Sequence, residues 1–365
     1  MVRLWRLCFI GLLVAPALAP AAPGRPVDRL FVPTPRPGTP VETLHATDLP
    51  LKPAAEDDPA AAQLDAYRHD AVRFEYTLQL VVEEEKFRLY RVVFPSPLKT
   101  PWPENNRVPA ELYLPRDAGP AAKVPAAVVL DIMDGSAILP RMMARSAAQN
   151  GLAALYLPMP CYNERRPPND EHEQLLREDP ARAADGLRQT VMDVRRAKAI
   201  LTSRPDVDTS RIGITGISMG GILTALAAGV DGEFARAVPI LSGGDVASII
   251  FHAHETRKLR AAMVAKGMDR AAAARALAAV EPKTFASRIG AGRCLMINAA
   301  NDEVIPKMTT QALHEAAGRP PIVWLPAGHY TSLTYFPLMQ KAVIEFLRDG
   351  KRPADTQTQQ PRPSP

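Results

Sequence analysis

The chain has 365 residues, of which 47% are hydrophobic and 23% are charged, and its formal net charge is +5. This length is ample for one sizeable hydrophobic core and too short for three ordinary domains. Basic and acidic residues are interspersed, without the basic stripe and interleaved aromatic residues that binding to nucleic acid or a membrane surface requires. The composition therefore argues against nucleic-acid and membrane-surface partners.

The N-terminus has the organisation of a secretory signal peptide. Two arginines precede an apolar run over residues 7–15, which is about half as long as a membrane-spanning helix. Cleavage after Ala17 satisfies the rule of small residues, whereas cleavage after Ala19 would place Pro20 next. We assign residues 1–19 to a signal peptide and expect a secreted or periplasmic protein without integral membrane association; an uncleaved anchor is the alternative.

Proline is concentrated at the two ends of the chain. Residues 20–65 are predicted to be a Pro/Ala-rich linker and residues 351–365 a disordered tail, which leaves one folded domain over residues 66–350. Cys161 and Cys294 remain after signal cleavage, and we expect them near different strands rather than in a disulfide. The sequence has no Cys-x-x-Cys or His-x-x-x-His spacing that would indicate a structural metal.

The folded region opens with three apolar segments, residues 74–82, 87–94 and 108–114, which are predicted to be antiparallel strands. From residue 124 onward, short apolar runs alternate with longer helical stretches, a pattern typical of βαβ units around a parallel sheet. The predicted buried strands are 126–130, 153–157, 212–215, 237–241, 295–298 and 322–325. The predicted helices are 140–149, 184–203, 219–228, 309–317 and 337–347.

One connection, residues 245–289, is unusually long and has no strand signal. Its Ala-, Arg- and Lys-rich pattern predicts helices, including residues 259–266 and 270–280. A connection of this length usually carries its own structure and often its own function, such as a lid over an active site. A packed helical excursion without a role in substrate choice is an equal alternative.

The strongest local signal is a Gly-x-Ser-x-Gly sequence centred on Ser218, between a predicted strand and a predicted helix. Such a tight turn exposes the serine hydroxyl above the sheet, and its glycines allow strand and helix to approach each other. The amide of Met219 lies at the start of the helix, where it can stabilise an oxyanion. We therefore predict that Ser218 is a nucleophile.

A serine hydroxyl needs a base, and the base needs an orienting carboxylate. In a strand–turn–helix arrangement of this kind the chain order is Ser, acid, His. Asp302 follows the predicted strand 295–298, and His329 follows the predicted strand 322–325. Because reactive groups gather at the carboxyl ends of parallel strands, we assign Asp302 as the acid and His329 as the base.

Other residues compete for these two roles. Asp245 follows the strand that ends at residue 241, and Glu303 adjoins Asp302 but is expected to point away. The remaining histidines fall in the insertion, within a helix or ahead of the nucleophile in the chain; they are His252, His254, His314, His45, His69 and His172.

The second oxyanion amide is expected in the loop after the strand 126–130. Backbone amides can serve whatever their side chains are, so the sequence leaves Ile132 and Met133 as alternative donors. A further loop over residues 158–170 is expected on the same side of the sheet, where Tyr162 could line the substrate pocket. Arg165 or Arg166 could meet an acidic substrate group, but we favour a structural salt-bridge cluster of these arginines with Glu164.

The chain from about residue 108 to residue 347 resembles the α/β-hydrolase superfamily, including its dienelactone hydrolase, acetyl-esterase and prolyl-oligopeptidase-type branches. The motifs that carry the resemblance are Gly-Ile-Ser-Met-Gly-Gly at 216–221, Asn-Asp-Glu-Val-Ile-Pro at 301–306 and Gly-His at 328–329. It implies the α/β-hydrolase fold, a mostly parallel sheet with helices on both faces and a small helical insertion before the acid-bearing strand. The sequence departs from the superfamily at 131–132, where His-Gly is common.

These assignments predict a serine hydrolase that cleaves a carboxylic ester through a Ser218–His329–Asp302 triad and an acyl-enzyme, without a metal or organic cofactor. The expected partner is a small acyl ester or a short peptide. A serine peptidase of the acylaminoacyl type is one alternative, although no large domain precedes residue 108. A catalytically silent binding protein with the same fold is another.

Overall fold

The computed structural model of the chain describes residues 34–133, 135–167 and 180–354. The predicted signal peptide, His172 and residues 355–365 of the predicted tail lie outside the described residues.

Ten strands of the described chain form one sheet. They are β1 (Val41–Thr47), β2 (Arg73–Glu83), β3 (Phe87–Pro95), β4 (Arg107–Pro115), β5 (Val124–Leu130), β6 (Ala153–Leu157), β7 (Val207–Ile217), β8 (Arg236–Ile240), β9 (Met296–Ala299) and β10 (Ile322–Leu325). Their order across the sheet is β1-β2-β3-β4-β6-β5-β7-β8-β9-β10.

The strand pairing in the sheet changes from antiparallel to parallel after the β4–β6 pair. Strands β1 to β4 pair antiparallel, and β4 pairs antiparallel with β6. From β6 to β10 every pairing is parallel, so six strands end at one edge of the sheet. The predicted opening strands and the mostly parallel sheet are confirmed, with strand bounds that differ by a few residues at most in all but β7.

The helices cover both faces of the sheet. They are α1 (Ala61–Leu64), α2 (Ile138–Gln149), α3 (Pro180–Ser203), α4 (Met219–Asp231), α5 (Val246–His252), α6 (Arg257–Ala265), α7 (Arg270–Ala276), α8 (Pro282–Phe285), α9 (Lys307–Ala316) and α10 (Phe336–Asp349). Side chains of α3, α4 and α9 share a core with one face, and those of α2 and α10 share a core with the other.

The central strands are apolar on both sides because both faces are covered. In β5, Ala126, Val128 and Leu130 belong to one core, whereas Ala127 and Val129 belong to the other. All five side chains are at most 2% exposed. This double burial explains why β5 reads as a continuous apolar run rather than as an alternating strand.

The predicted linker over residues 20–65 is wrong from Val41 onward. Strand β1 pairs along its whole length with β2, from Val41 opposite Gln79 to Thr47 opposite Arg73. The buried carboxylate of Asp48, directly after β1, accepts a 2.8 Å hydrogen bond from Nε of Arg196 in α3. Most β1 side chains are exposed, because β1 is an edge strand, so the segment lacks the apolar pattern of a strand.

The connection from residue 245 to residue 289 contains α5, α6, α7 and α8. It contains no strand, as its sequence predicts. Leu259, Met263, Ala273 and Phe285 from this segment are buried in the same core as α3 and α4. The insertion is therefore packed against the body of the domain.

Candidate active site

Ser218 occupies a strained turn between β7 and α4. Its backbone angles are φ 58° and ψ −117°, a conformation that non-glycine residues rarely adopt. Its amide donates to the carbonyl of Ile240 in β8 at 2.9 Å, and its carbonyl accepts from the amide of Ile222 at 2.9 Å. The turn is thus tied to the neighbouring strand on one side and to helix α4 on the other.

Three glycines make this turn possible. A Cβ on Gly216 would lie 2.5 Å from the carbonyl oxygen of Gly220, so strand and helix approach too closely for a side chain. A Cβ on Gly220 would meet the carbonyl oxygen of Asp131, and one on Gly221 would meet that of Ile240, both at under 3.0 Å. The spacing of these glycines follows from the close contact of α4 with β5, β7 and β8.

The structure brings Ser218, His329 and Asp302 together. The Oγ atom of Ser218 lies 2.9 Å from Nε2 of His329. The other ring nitrogen of His329, Nδ1, lies 2.9 and 3.0 Å from the two carboxylate oxygens of Asp302. The side chains of His329 and Asp302 are 8% and 3% exposed, so the pair is largely shielded from water.

Asp302 is fixed by the backbone that follows it. Its Oδ1 atom accepts hydrogen bonds from the amides of Val304 at 2.9 Å and Ile305 at 2.7 Å. Bonds of this kind stabilise the ionised carboxylate and hold it in one orientation. The carboxylate can therefore hold the Nδ1–H tautomer of His329, which leaves Nε2 to accept a proton from Ser218.

Glu303 does not point away from the site, contrary to the prediction. Its Oε2 atom accepts a 2.7 Å hydrogen bond from the backbone amide of His329. A Cβ on Gly328 would lie under 3.0 Å from this carboxylate oxygen, so a side chain at that position would displace the Glu303 carboxylate. The sequence Gly-His carries no signal for this contact, because it depends on where the Asp302 loop lies in space.

The competing residues have other partners. Asp245 caps α5, where its carboxylate accepts hydrogen bonds from the amide and hydroxyl of Ser248. His314 contacts the carbonyl of Pro320 at 2.8 Å. The side chains of His252 and His254 are exposed. Among the described histidines, His329 is the one that contacts Ser218.

Of the predicted oxyanion donors, Met219 lies in the nucleophile turn, and the loop with Ile132 and Met133 follows Asp131, whose carbonyl lies close to Gly220. Met219 is the first residue of α4, so its amide has no acceptor within the helix. The amide of Ile132 donates to its neighbour Asp131 at 2.8 Å, and the carbonyl of Ile132 accepts from the amide of Gly135 at 3.2 Å. Both backbone polar groups of Ile132 are therefore engaged.

Tyr162 is buried rather than open to a pocket. It is 7% exposed, and a Cβ on Gly135 would lie 2.5 Å from its ring. The ring thus packs on the loop that carries Ile132 and Met133, the alternative oxyanion donors. This position makes Tyr162 a support of that loop.

Of the two arginines in the loop after β6, Arg165 has a structural role. Arg165 is fully buried and donates to Asp193 at 2.8 Å and to the carbonyls of Asn105 and Pro158. The predicted partner was different, since Glu164 pairs instead with Arg91 of β3. The salt-bridge interpretation of Arg165 is correct, but its carboxylate is not the one next to it in sequence.

A side-chain contact joins the insertion to the residue that follows His329. The hydroxyl of Tyr330, the residue after His329, donates a hydrogen bond to Oε1 of Glu255. The Tyr330 ring meets the His329 ring edge-on, with 5.5 Å between centroids. Partial desolvation of its hydroxyl and this hydrogen bond raise the pKa of Tyr330 above its usual range, so the phenol stays protonated and donates.

Two further properties concern only the described ranges. They contain no group of three or more His, Cys, Asp or Glu side chains arranged to hold a metal ion. None of their helices combines the length and apolar character needed to cross a bilayer. Cys161 and Cys294, both buried, form no disulfide with each other, as their sequence positions predict.

Solved structures with a similar fold include two bacterial acetyl xylan esterases. The enzyme from Paenibacillus sp. R4 is 20% identical with a TM-score of 0.63, and the match covers 81% of this chain and 95% of that one. Acetyl xylan esterase 1 from Thermoanaerobacterium sp. JW/SL YS485 is 16% identical with a TM-score of 0.61, over 82% and 96% of the two chains.

An acylaminoacyl peptidase from Pyrococcus horikoshii is 14% identical with a TM-score of 0.56, over 78% of this chain but only 49% of that one. At these identities the likeness shows the fold alone. A comparison with curated protein sequences gave no match.

Two family profiles match the sequence itself. Residues 267–359 match the profile described as TAP-like protein. Residues 63–253, just over half of the chain, match the profile described as alpha/beta hydrolase domain containing 18. Together with the sheet order and the Ser218 turn, these matches show that the chain is an α/β-hydrolase and belongs to the family of alpha/beta hydrolase domain containing 18.

Proposed function

We propose that this α/β-hydrolase is a serine esterase, with Ser218 as nucleophile, His329 as general base and Asp302 as the acid of the triad. One observation carries the proposal. The Ser218 hydroxyl, both ring nitrogens of His329 and the Asp302 carboxylate form one continuous chain of contacts of 2.9 to 3.0 Å. Distances in this range allow direct proton transfer from a hydroxyl to an imidazole.

In the proposed reaction, Ser218 Oγ attacks the acyl carbon of the ester while its proton moves to Nε2 of His329. Asp302 holds the imidazole and stabilises its charged form. The tetrahedral intermediate collapses as His329 returns the proton to the departing alcohol, which leaves an acyl group on Ser218. A water molecule then attacks the acyl carbon and gives a proton to His329. The bond between the acyl carbon and Ser218 Oγ breaks as His329 returns that proton to Oγ, which releases the carboxylic acid and restores the free serine.

The negative oxygen of the tetrahedral intermediate needs preorganised donors. Met219 supplies the first, because its amide opens helix α4 beside the nucleophile. Of the two candidates for the second, we assign Met133, since the Ile132 amide already donates to Asp131. This assignment narrows the choice that the sequence leaves open.

The extent of the structural matches favours an ester over a peptide substrate. This chain covers 95% and 96% of the two acetyl xylan esterases, which are named for an acetyl ester. The match covers 49% of the acylaminoacyl peptidase. We therefore propose a carboxylic ester as the substrate class and keep a short acylated peptide as the second candidate.

A fluorophosphonate probe tests the nucleophile directly. We expect purified protein to be labelled covalently and Ser218→Ala to lose labelling completely, while Ser287→Ala, a change of an exposed serine, labels like the wild type. Labelling of Ser218→Ala at the wild-type rate would overturn the assignment of Ser218. Folded wild-type protein without any labelling would indicate a catalytically silent binding protein.

A substrate panel tests ester against amide. p-Nitrophenyl esters of increasing acyl length are compared with aminoacyl p-nitroanilides under the same conditions. We expect turnover of the esters with kcat/KM well above that of the anilides. Turnover of anilides without ester turnover would favour the peptidase.

We also propose that the protein is exported. The support is the arrangement of residues 1–19, which have a basic start, a short apolar run and small residues before a Pro-rich stretch. Mass spectrometry of the mature N-terminus is the test. A chain that retains residues 1–17 after expression with an intact export pathway contradicts signal cleavage.

A further inference from the structure

The loop that carries Met133 is held by a buried polar network with Asp131 at its end. Asp131 directly follows β5, at the position where His-Gly is common in the superfamily. Its side chain is completely buried. Its carbonyl oxygen lies against Gly220, where any side chain would collide with it. The Asp131 backbone therefore packs directly on the nucleophile turn.

The two carboxylate oxygens of Asp131 have different partners. Oδ1 accepts the Ile132 amide at 2.8 Å, and Oδ2 accepts the hydroxyl of Tyr156 at 2.9 Å. Tyr156 lies on β6 and is 1% exposed. Burial and the adjacent charge of Asp131 raise the pKa of Tyr156, so its hydroxyl remains a donor. Asp131 thus joins the β6 strand to the backbone of the loop.

The network continues away from the loop. The guanidinium of Arg141 in α2 lies 5.6 Å from the centre of the Tyr156 ring. Arg141 also donates to Glu111 of β4 at 2.8 Å, and the hydroxyl of Tyr113 donates to the same carboxylate at 2.9 Å. These side chains fix Tyr156 from β4 and α2, so the phenol that holds Asp131 has little freedom to move.

A backbone hydrogen bond also ties Ile132 to Gly135 within the loop. The amide of Gly135 donates to the carbonyl of Ile132 at 3.2 Å, and Gly135 has a φ of 67° beneath the Tyr162 ring. With the Ile132 amide turned to Asp131 and the Ile132 carbonyl turned to Gly135, the next amide along the chain is that of Met133.

We propose that Asp131, held by Tyr156, is a positioning residue for the oxyanion hole: by engaging the Ile132 amide it fixes the turn in which the Met133 amide becomes the second oxyanion donor. This inference rests on the proposed serine esterase function. It also gives a physical reason for the departure from His-Gly. In this chain a side-chain carboxylate within the loop fixes the loop backbone.

The buried position of a carboxylate supports this role. An ionised carboxylate in the interior is costly unless several donors satisfy it. Here the donors include one backbone amide of the loop and one phenol fixed by neighbouring elements. Removing the carboxylate frees the Ile132 amide and loosens the turn, whereas replacing it with a carboxamide of the same shape retains an oxygen acceptor for that amide.

The test compares Asp131→Asn, Asp131→Ala and Tyr156→Phe with Tyr67→Phe as the matched control. The Tyr67 hydroxyl is also buried, and it donates to the carbonyl of Ala279 at 2.7 Å, between the N-terminal segment and the insertion. For each protein, kcat and KM for p-nitrophenyl acetate are measured beside the melting temperature and the affinity for an aryl trifluoromethyl ketone. Ser218 Oγ adds to the ketone carbon, its proton moves to His329, and the ketone oxygen becomes an oxyanion.

Loss of one oxyanion donor lowers kcat about 10²- to 10³-fold, so displacement of a donor should lower kcat by a smaller factor. We expect Asp131→Ala to lower kcat roughly 10- to 100-fold with KM changed less than about threefold, and to weaken the ketone by a similar factor. Tyr156→Phe should lower both in the same direction. Asp131→Asn should restore most of the rate, and Tyr67→Phe should lose thermal stability without losing kcat.

Several results overturn the inference. Wild-type kcat and ketone affinity in Asp131→Ala, an equal loss in Asp131→Asn, or an equal loss of kcat in Tyr67→Phe would each show that Asp131 does not act on the oxyanion hole. A wild-type protein that turns over no ester and takes no fluorophosphonate label is a different failure, because it removes the proposed function before any variant is compared.

Discussion

A hydrogen bond joins the Glu303 side chain to the His329 backbone, although the two residues lie 26 positions apart in the chain. The Oε2 atom of Glu303 accepts the amide hydrogen of His329 at 2.7 Å, while the adjacent Asp302 contacts Nδ1 of the same residue. Two consecutive carboxylates thus hold one histidine at two points. Asp302 sets the orientation of the ring, and Glu303 sets the position of the turn from which the ring projects.

We therefore predict that Glu303→Ala lowers kcat on the order of 10-fold through loss of alignment between His329 and Ser218, with a smaller change in KM. Glu303→Gln keeps a side-chain oxygen that can accept from the amide, so its kcat should stay within about threefold of the wild type. The measurement is p-nitrophenyl acetate turnover for both variants. Glu315→Ala, on the exposed side of α9, is the control.

Equal rates in Glu303→Ala and the wild type would show that the turn holds His329 without this contact. An equal loss in Glu303→Gln and Glu303→Ala would instead mean that the negative charge of Glu303 matters, and not its hydrogen bond.

Much of the fold follows from local sequence patterns. The buried parallel strands are short apolar runs, and β6 and β10 have the predicted bounds. Ser218 could be predicted because its turn has strict steric requirements that only glycines meet. Strand β1 could not, because an exposed edge strand carries no core-facing period.

The residues that hold the proposed catalytic groups in place were harder to predict than the catalytic groups themselves. The direction of the Glu303 side chain depends on the path of the loop after β9, which is tied to the next loop by a bond from the Asn301 amide to the Ala327 carbonyl at 3.0 Å. The choice between Ile132 and Met133 as oxyanion donor depends on the Asp131 side chain, which accepts a hydrogen bond from the amide of the next residue. Neither relationship has a periodicity or spacing that sequence can display.

Gly221 allows a second prediction, on stability. A Cβ at this position would meet the Ile240 carbonyl at under 3.0 Å, in backbone that cannot yield without moving β8. Gly221→Ala should therefore destabilise the protein by about 2 kcal/mol or more, since overpacking outweighs the better helix propensity of alanine. Thermal unfolding measures the change. Gly292→Ala, where nothing lies within 4 Å of the new Cβ, should be close to neutral, and an unchanged melting temperature in Gly221→Ala would contradict the tight packing of α4 on β8.

The shifted pKa of Asp48 leads to a prediction of how the free energy of unfolding depends on pH. Burial alone would raise its pKa, but hydrogen bonds from His69 and Arg196 outweigh burial and lower the pKa from 3.8 to about 2. Because the folded-state pKa is depressed, the stabilisation is fully present above about pH 4 and is lost as the pH falls towards 2. The difference corresponds to about 2 kcal/mol.

Asp48→Asn should accordingly lose about 2 kcal/mol or more at pH 7, where Arg196 remains charged and buried without its carboxylate. Between pH 4 and pH 2 its free energy of unfolding should fall less steeply than that of the wild type. Urea unfolding at pH 7, 4, 3 and 2 measures both effects, with Asp57→Asn at an exposed position as the control. Parallel curves for Asp48→Asn and the wild type would remove Asp48 as a source of acid sensitivity.

Tyr330 and Glu255 give the last prediction, on the insertion. Within the described chain, Oε2 of Glu255 is buried without a hydrogen-bond partner, so this carboxylate depends on the Tyr330 hydroxyl that binds Oε1. Tyr330 is 56% exposed, which limits the contribution of the contact to about 1 kcal/mol.

Tyr330→Phe should therefore speed amide hydrogen exchange in residues 253–260 about fivefold, since 1 kcal/mol corresponds to a factor of about 5 in the opening equilibrium. Exchange in β7 should not change. Tyr335→Phe alters a tyrosine that directly precedes α10 and packs on the core, and it serves as the matched control. If exchange in residues 253–260 is the same in Tyr330→Phe and the wild type, apolar packing alone holds the insertion beside His329. The hydroxyl of Tyr330 then does not help to hold it there.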